Sequence, residues 1–209
     1  MTTQLAAFTA LGLALVAYLI GSISPSILLA KAKGVDIKKE GSGNAGTTNT
    51  LRVLGPSAAV ITLIIDICKG FLAVYLGIYF SSFAGDFVMQ QTTYLCAVAV
   101  VCGHIWPIFF KFKGGKGVAT AFGAVLAVNW MVALIALAIV AVGVLVSRRM
   151  SVGSLLGGLA LPFLCLYFEF NFLMGSFFLA VLVIHTHRAN LVRLRNGTEP
   201  KINFGSKGK

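Results

Sequence analysis

The chain has 209 residues, of which 58% are hydrophobic and only 11% charged, and its mean hydropathy is +0.92. Soluble domains carry about 25% charged residues, so this composition excludes a fully water-exposed surface and indicates a protein of the lipid bilayer. The formal net charge of +11 calls for an anionic partner or for an uneven placement of charge across a membrane. Nucleic acid is a poor candidate partner, because the basic residues are scattered between apolar runs.

Apolar runs divide the chain into membrane spans. In chain order they cover residues 5–30, 57–80, 93–110, 118–146 and 152–184. A helix needs about 20 residues to cross a bilayer, so the run lengths alone allow five to seven spans. The first run lacks the basic flank and cleavage site of a secretory signal, and we interpret it as a true span.

The placement of positive charge resolves the number of spans. Every Lys and Arg except Lys69 falls in one of four clusters, and the connections between the clusters carry none. By the positive-inside rule, the four clusters face the cytoplasm. The two longest runs must then each turn back on themselves, near residues 129–130 and 169–171. We therefore predict an all-α, polytopic bundle of about seven transmembrane helices, several of them short, with the N-terminus outside and the C-terminus cytoplasmic.

The first cytoplasmic connection contains a glycine loop, residues 41–52, that begins GSGNAGTTN and ends at Arg52. Glycines permit close approach of a ligand and expose backbone amides, and an Arg guanidinium can bind a phosphate with two hydrogen bonds. The alternative is a flexible polar connector, but a membrane protein this short seldom keeps so many small polar residues for that purpose alone. We therefore predict an anion site in this first glycine loop.

A second glycine loop, residues 111–117, reads KFKGGKG and leads into an apolar helix. Glycines, a lysine and a helix N-terminus together favour a bound anion. The loop is not a Walker A motif, because Phe110 and Gly117 replace residues that this motif requires. A basic membrane flank would explain Lys111 and Lys113, but not the two glycines before Lys116.

The third segment of interest, residues 187–200, follows the last apolar run, and we call it the C-terminal motif. If the helix continues through it, His187 and Asn190 lie three residues apart on one face. A histidine at this position can donate to a phosphate or move a proton. For Arg193 and Arg195, anchoring to anionic lipid is an equally good interpretation. Within the apolar runs, Asp66 and Lys69 are expected to pair with each other, and the role of His104 stays open.

Several kinds of catalytic site are missing from the sequence. The six carboxylates are scattered singly, so they predict neither a zinc site nor a two-metal site. There is no Gly-x-Ser-x-Gly elbow, and no histidine is followed by an acid four or five residues later. We therefore expect chemistry that uses no cofactor, no metal and no covalent enzyme intermediate.

Together the first glycine loop, residues 113–120 and the C-terminal motif resemble the three cytoplasmic motifs of the bacterial acyl-phosphate:glycerol-3-phosphate acyltransferases. The resemblance runs the length of the chain and implies one membrane-embedded domain over residues 1–209, with cytoplasmic loops at about 31–56, 111–120, 147–151 and 185–209. It also implies transfer of a fatty acyl group from acyl phosphate to the 1-hydroxyl of sn-glycerol 3-phosphate, an early step of phospholipid synthesis. The implied location is the bacterial cytoplasmic (inner) membrane, with a functional link to the enzyme that makes acyl phosphate and no nucleic-acid partner.

The resemblance also suggests roles for particular residues. Ser42, His187 and Asn190 are the expected catalytic residues, and either His187 or a substrate phosphate oxygen accepts the proton. The expected substrate-binding residues are those of the glycine loops and one serine beyond them: Gly43, Asn44, Gly46, Thr48, Asn49, Arg52, Gly114, Gly115, Lys116 and Ser151.

Two other functions are alternatives to acyl transfer. A transporter for an organic phosphate would explain the glycines and the charge, but such proteins typically contain inverted repeats and bind at the bilayer midplane. A scaffold that binds anionic lipid would leave the glycine pattern unexplained. In this chain the polar motifs lie on one membrane face and no internal repeat is found, and both observations disfavour the transporter.

The topology predicts that Ser42 and Lys116 lie on the same side of the bilayer. Single cysteines placed at these two positions should therefore react with a membrane-impermeant thiol reagent from the same side in oriented vesicles. Reaction from opposite sides would exclude a shared anion site and with it the predicted activity.

Overall fold

The computed structural model describes residues 3–202, and over this part of the chain the only regular secondary structure is helical. The ten α-helices of the described residues are α1 Thr3–Gly21, α2 Pro25–Ala32, α3 Thr47–Leu54, α4 Pro56–Ser81, α5 Asp86–Ile105, α6 Val118–Val128, α7 Trp130–Ser147, α8 Met150–Phe168, α9 Leu173–Thr186 and α10 Arg188–Arg195. The predicted all-α membrane architecture is confirmed.

The breaks between helices follow local sequence signals. The predicted interruptions of the two longest apolar runs are confirmed, at Asn129 between α6 and α7, and at residues 169–172 between α8 and α9. The first run is also interrupted, between α1 and α2, where Pro25 begins the second helix. This break was not predicted; Pro25, which has no backbone N–H, stands at the first position of α2, where that N–H would have no partner within the helix.

Five segments of the described chain are long and apolar enough to cross a membrane. They are Gln4–Ala32, Pro56–Ala84, Asp86–Phe110, Trp130–Ser147 and Met150–Phe168. A sixth results if the bent pair Phe170–Thr186 and Arg188–Arg195 is one span, whereas α6 is too short to qualify alone. The count of seven and the orientation of the termini stay predictions.

The described residues form two compact units that divide between Ala133 and Leu134. In the first unit, α1 packs on α5, while α4 packs on both α5 and α6. In the second unit, α8 packs on α9.

Small residues allow the helices of the first unit to approach closely. A Cβ atom added at Gly70 of α4 would overlap the carbonyl of Thr120 in α6, and one added at Gly123 of α6 would overlap the carbonyl of Ile67 in α4. Such contacts are typical of membrane helices, whose association depends on van der Waals packing more than on the exclusion of water. This packing fixes the start of α6, which follows the second glycine loop.

Candidate active site

The side chain of Asn49 is hydrogen-bonded to the backbone around the start of the first glycine loop. Its Oδ1 accepts a hydrogen bond from the Ser42 amide at 2.8 Å, and its Nδ2 donates to the carbonyls of Glu40 at 3.0 Å and Ile37 at 3.3 Å. Asn49 is buried, and its side-chain amide makes three hydrogen bonds to the backbone at and before the start of the loop. That Asn49 binds substrate stays a prediction, and what the structure shows is that its side chain shapes the loop.

The remaining polar groups of the first glycine loop are available. Within residues 3–202 the exposed Arg52 guanidinium makes no hydrogen bond or ion pair, and the side chains of Ser42, Asn44 and Thr48 make no hydrogen bond. Gly43 instead donates its amide to the carbonyl of Glu40 at 3.0 Å. The backbone amides of residues 44–48, which include the first turn of α3, make no hydrogen bond in the described part of the chain.

The second glycine loop is bonded to the end of α5. The amides of Gly114 and Gly115 donate to the carbonyls of Ile105 at 3.0 Å and His104 at 3.1 Å, so they are not free for an anion as the sequence suggested. Any part that these glycines play in binding depends on their lack of side chains. Lys116 follows them, and Gly117 adopts a positive φ of 84° immediately before α6 begins.

A cluster of four buried side chains lies beneath the second glycine loop. It consists of Asp66, Lys69, His104 and Thr120. The Lys69 Nζ lies 2.8 Å from Asp66 Oδ1, which confirms the predicted pair, and it also contacts His104 Nδ1 at 3.0 Å. Thr120 Oγ1 lies 3.1 Å from the same His104 nitrogen. His104, whose role the sequence left open, therefore belongs to a polar cluster that connects three helices.

Lysines surround a cavity of about 550 Å³ beside the second glycine loop. Lys31, Lys38, Lys111 and Lys113 contribute the charge, whereas Ile27, Phe109 and Phe110 contribute apolar surface. The Lys38 Nζ donates to the Gly114 carbonyl at 2.8 Å. Burial lowers the pKa of Lys38 to about 8, with Asp36 raising it and Lys113 lowering it further. This combination suits an amphiphile with an anionic head.

In the second unit, the carboxylate of Glu199 accepts hydrogen bonds from three polar side chains. Its Oε1 accepts hydrogen bonds from Ser151 at 2.7 Å and Asn190 at 2.6 Å, and its Oε2 accepts one from Arg193 at 2.7 Å. Burial alone would raise the pKa of Glu199, but these hydrogen bonds outweigh that effect and hold the pKa below its ordinary value. Ser151 and Asn190, both predicted to act on substrate, are thus bonded to an acidic residue to which the sequence analysis gave no role.

Glu199 could have been found from its isolation in the sequence. It is the single acidic residue after Glu169, in a tail that holds six basic residues. An acid in such surroundings has many cations to pair with, and a buried acid has to find hydrogen-bond donors.

His187 lies at a bend and not within a continuous helix. α9 ends at Thr186, α10 begins at Arg188, and the chain bends by 57° between them. The premise that one helix presents His187 and Asn190 on one face is therefore wrong. His187 Nδ1 lies 2.8 Å from the Val183 carbonyl, which can only accept, so Nδ1 carries the proton. In the neutral form of the ring, the lone pair lies on Nε2.

A helical bundle with glycine-rich, cationic loops is typical of an integral membrane protein that binds anionic ligands. The family model for glycerol-3-phosphate acyltransferase matches residues 11–197. The chain belongs to this family of membrane acyltransferases.

Individual relatives agree with the family match. A glycerol-3-phosphate acyltransferase of Clostridioides difficile strain 630 is 44% identical, covering 93% of this chain and 96% of that protein. One from Thermoanaerobacter pseudethanolicus is 42% identical, with 90% and 93% covered. Two crystal structures of PlsY, an integral membrane glycerol 3-phosphate acyltransferase, are each 38% identical to this chain.

The two structures capture PlsY with different molecules. The glycerol 3-phosphate form has a TM-score of 0.83 and covers 93% of this chain and 96% of its own. The lysophosphatidic acid form has a TM-score of 0.80, with 93% and 95% covered.

Replacing Glu199 with Gln should disrupt the C-terminal motif. We expect at least a tenfold loss of acyl transfer and a lower melting temperature in detergent, because hydrogen bonds to a charged group contribute about 1.5–3 kcal/mol each. The Arg193 bond contributes less than this, since the Arg193 side chain is 36% exposed. Asp86→Asn, which removes an exposed acid, is the matched control and should retain both properties. Equal behaviour of the two variants would contradict the role of Glu199.

Lys38 should impose an alkaline limit on activity. As pH rises through about 8, the ammonium loses its charge beside the second glycine loop, so kcat/KM should fall several-fold. Lys38→Arg, whose guanidinium stays charged, should move this limb to higher pH, and Lys38→Met should show the loss already at pH 7. Lys33→Met is the control, because Lys33 is exposed. An unchanged alkaline limb in Lys38→Arg would exclude Lys38 as its origin.

Proposed function

We propose that the protein transfers a fatty acyl group from acyl phosphate to the 1-hydroxyl of sn-glycerol 3-phosphate, releasing lysophosphatidic acid and inorganic phosphate. The observation that carries this proposal is the first glycine loop, in which Arg52 has no partner among the described residues and the amides of residues 44–46 make no hydrogen bond. A cation beside free amides suits a phosphate group. The two ligands named for the PlsY structures, glycerol 3-phosphate and lysophosphatidic acid, correspond to the proposed acceptor and product.

Acyl phosphate suits this site because it needs no nucleophile from the protein. The 1-hydroxyl oxygen attacks the acyl carbonyl carbon, a new ester bond forms, and the bond from that carbon to the phosphate oxygen breaks. Phosphate leaves with the electron pair, and the hydroxyl proton passes to a base. Ser151 is a buried hydroxyl group, and a histidine would be needed to activate it as a nucleophile. It donates to the Glu199 carboxylate and makes no hydrogen bond to a histidine within the described chain. We therefore propose direct transfer, without metal or covalent enzyme intermediate.

The protein's contribution is then to position two anions and neutralise their repulsion. We assign Arg52 and Lys116 to substrate phosphates, with the amides of residues 44–46 as further donors. Ser42, whose hydroxyl makes no hydrogen bond within the described chain, orients the attacking hydroxyl. His187 accepts the proton at Nε2, because its Nδ1 is committed to Val183. Asn190 and Ser151 act on this chemistry through Glu199.

We propose that the reaction takes place at the cytoplasmic face of the bacterial inner membrane. The four basic clusters of the sequence favour this side. The substrate phosphates are soluble in the cytoplasm, whereas the acyl chain and the product partition into the bilayer. The enzyme that makes acyl phosphate is the expected functional partner.

One assay tests the proposed donor. Purified protein in detergent is given glycerol 3-phosphate with acyl phosphate, or with an acyl thioester, and released phosphate and acylated product are measured with and without a chelator. We expect one phosphate per lysophosphatidic acid, only with acyl phosphate, and no effect of the chelator. Transfer from the thioester would overturn the donor, and loss of activity in chelator would overturn the metal-free mechanism.

Loss of either proposed phosphate ligand should greatly reduce turnover. We expect Arg52→Ala and Lys116→Ala to lower kcat/KM by about 10²–10³-fold, the usual cost of removing one preorganised electrostatic contact. Membrane insertion and melting temperature should remain near those of the parent protein. Arg195→Ala, which removes an exposed cation outside both glycine loops, is the control. Near-normal turnover in either loop variant would remove that residue from the site.

A further inference from the structure

His104 is buried at the end of α5, where three groups converge on one ring nitrogen. Lys69 Nζ, Thr120 Oγ1 and Asp66 Oδ1 lie 3.0, 3.1 and 3.3 Å from His104 Nδ1. The His104 side chain is only 5% exposed. No role in substrate binding or proton transfer has so far been given to this histidine.

The contacts of Lys69 give His104 Nδ1 its role. Lys69 Nζ forms an ion pair with Asp66 Oδ1 at 2.8 Å, donates to the Ile23 carbonyl at 2.6 Å and lies 3.0 Å from His104 Nδ1. Because an ammonium group can only donate, His104 Nδ1 is the acceptor at this contact, and Thr120 Oγ1 can donate to the same nitrogen.

The opposite edge of the ring supports the second glycine loop. A Cβ atom added at Gly115 would overlap His104 Nε2, so the Gly115 backbone rests directly on that edge. The same Cβ would lie 2.7 Å from the Ala45 carbonyl of the first glycine loop. The His104 backbone takes part as well, because its carbonyl accepts the Gly115 amide at 3.1 Å. His104 Nε2 makes no hydrogen bond in the part of the chain that the structure describes.

We propose that His104 is a positioning residue for acyl transfer. Lys69 and Thr120 hold the ring in place through Nδ1. The Nε2 edge of the ring then fixes the position of the Gly115 backbone relative to the first glycine loop. The position of Gly115 in turn determines where Lys116 can meet a substrate phosphate. The inference rests on the proposed function of Lys116. It assigns the buried cluster to the reaction as well as to the stability of the helices.

Two substitutions separate the two edges of the ring. The side-chain amide of Asn occupies the place of His Nδ1, so His104→Asn keeps an acceptor for Lys69 and Thr120 but withdraws the support from Gly115. The amide of Gln reaches the place of Nε2, so His104→Gln keeps that support but leaves the two donors without an acceptor. We expect Asn to retain the melting temperature and lose about 10–100-fold in kcat/KM, because a displacement of about 1 Å can cost 10²-fold. Gln should be less stable but more active per folded molecule.

The expected order, in which the more stable variant is the less active one, distinguishes a positioning role from a merely structural role. If His104 served only to satisfy Lys69, the more stable variant would also be the more active, and that result would overturn the proposal. Thr62→Val is the matched control for a buried polar change on α4, since Thr62 Oγ1 has no hydrogen-bond partner among the described residues. It should leave both stability and turnover unchanged.

A double-mutant cycle tests the route through Gly115. Gly115→Ala should lower kcat/KM by itself, because its methyl group overlaps the His104 ring. In His104→Asn/Gly115→Ala the shorter side chain removes the overlap with the ring and leaves only the close approach of the methyl group to the Ala45 carbonyl, so the double variant should lose at least threefold less than the product of the two single losses. Strictly multiplicative losses would contradict transmission through this contact.

A binding measurement keeps the inference separate from the proposed function. Inorganic phosphate should bind the parent protein by calorimetry, and His104→Asn should weaken this binding about tenfold. If the parent protein binds phosphate but does not use acyl phosphate, the proposed donor fails while the role of His104 in placing Lys116 stands. If His104→Asn matches the parent protein in both phosphate binding and turnover, the role of His104 fails and the donor is unaffected.

Discussion

The structure of the first unit depends on a single ammonium group that has to be satisfied inside an apolar helix bundle. Lys69 can neither reach water nor remain unpaired at reasonable cost. Its three donors are used on the Asp66 carboxylate, the Ile23 carbonyl and the His104 ring, which belong to α4, to the connection between α1 and α2, and to α5. Each bond constrains a different segment, and together they fix the end of α5 on which the second glycine loop rests. A charge that is expensive to bury is therefore tolerated because it determines where a functional loop lies.

The glycines of the two loops serve that arrangement in a particular way. Gly114 and Gly115 donate their amides to the last carbonyls of α5 and Gly43 donates to Glu40, so these amides do not remain free for a phosphate. What the glycines offer is the absence of a side chain where the backbone lies against the His104 ring and where the two loops meet. The donors left for an anion are the amides of residues 44–48 and the cationic side chains. Sequence patterns of this kind predict an anion site without telling which atoms of the loop would bind.

The sequence predicts features that depend on local composition better than features that depend on contacts between distant residues. Hydropathy and charge predict the helical membrane fold and the breaks near Asn129 and Glu169, because these depend on local composition and on sidedness. The hydrogen bonds of Asn49 could not be predicted in this way. An asparagine that binds substrate and an asparagine that bonds to its own loop look the same in a sequence. The hydrogen bond from Ser151 to Glu199 could not be predicted, because the two residues lie 48 positions apart. The bend at His187 was missed because no proline or glycine marks it.

The distribution of the few acids supports the proposal that this strongly cationic chain holds two anions at one time. Of the six acidic residues, Asp36 lies 4.0 Å from Lys39, Asp66 pairs with Lys69, and Glu199 pairs with Arg193. Asp66 and Glu199 are buried, where each is matched by donors that could not be left alone in an apolar environment. None of these three acids neutralises Arg52, which keeps its full charge at the surface of the first glycine loop. A site for one neutral ligand would gain nothing from an uncompensated guanidinium. Two phosphorylated substrates repel each other strongly when they approach within a few ångströms, and uncompensated cations are the means by which a protein can overcome that repulsion.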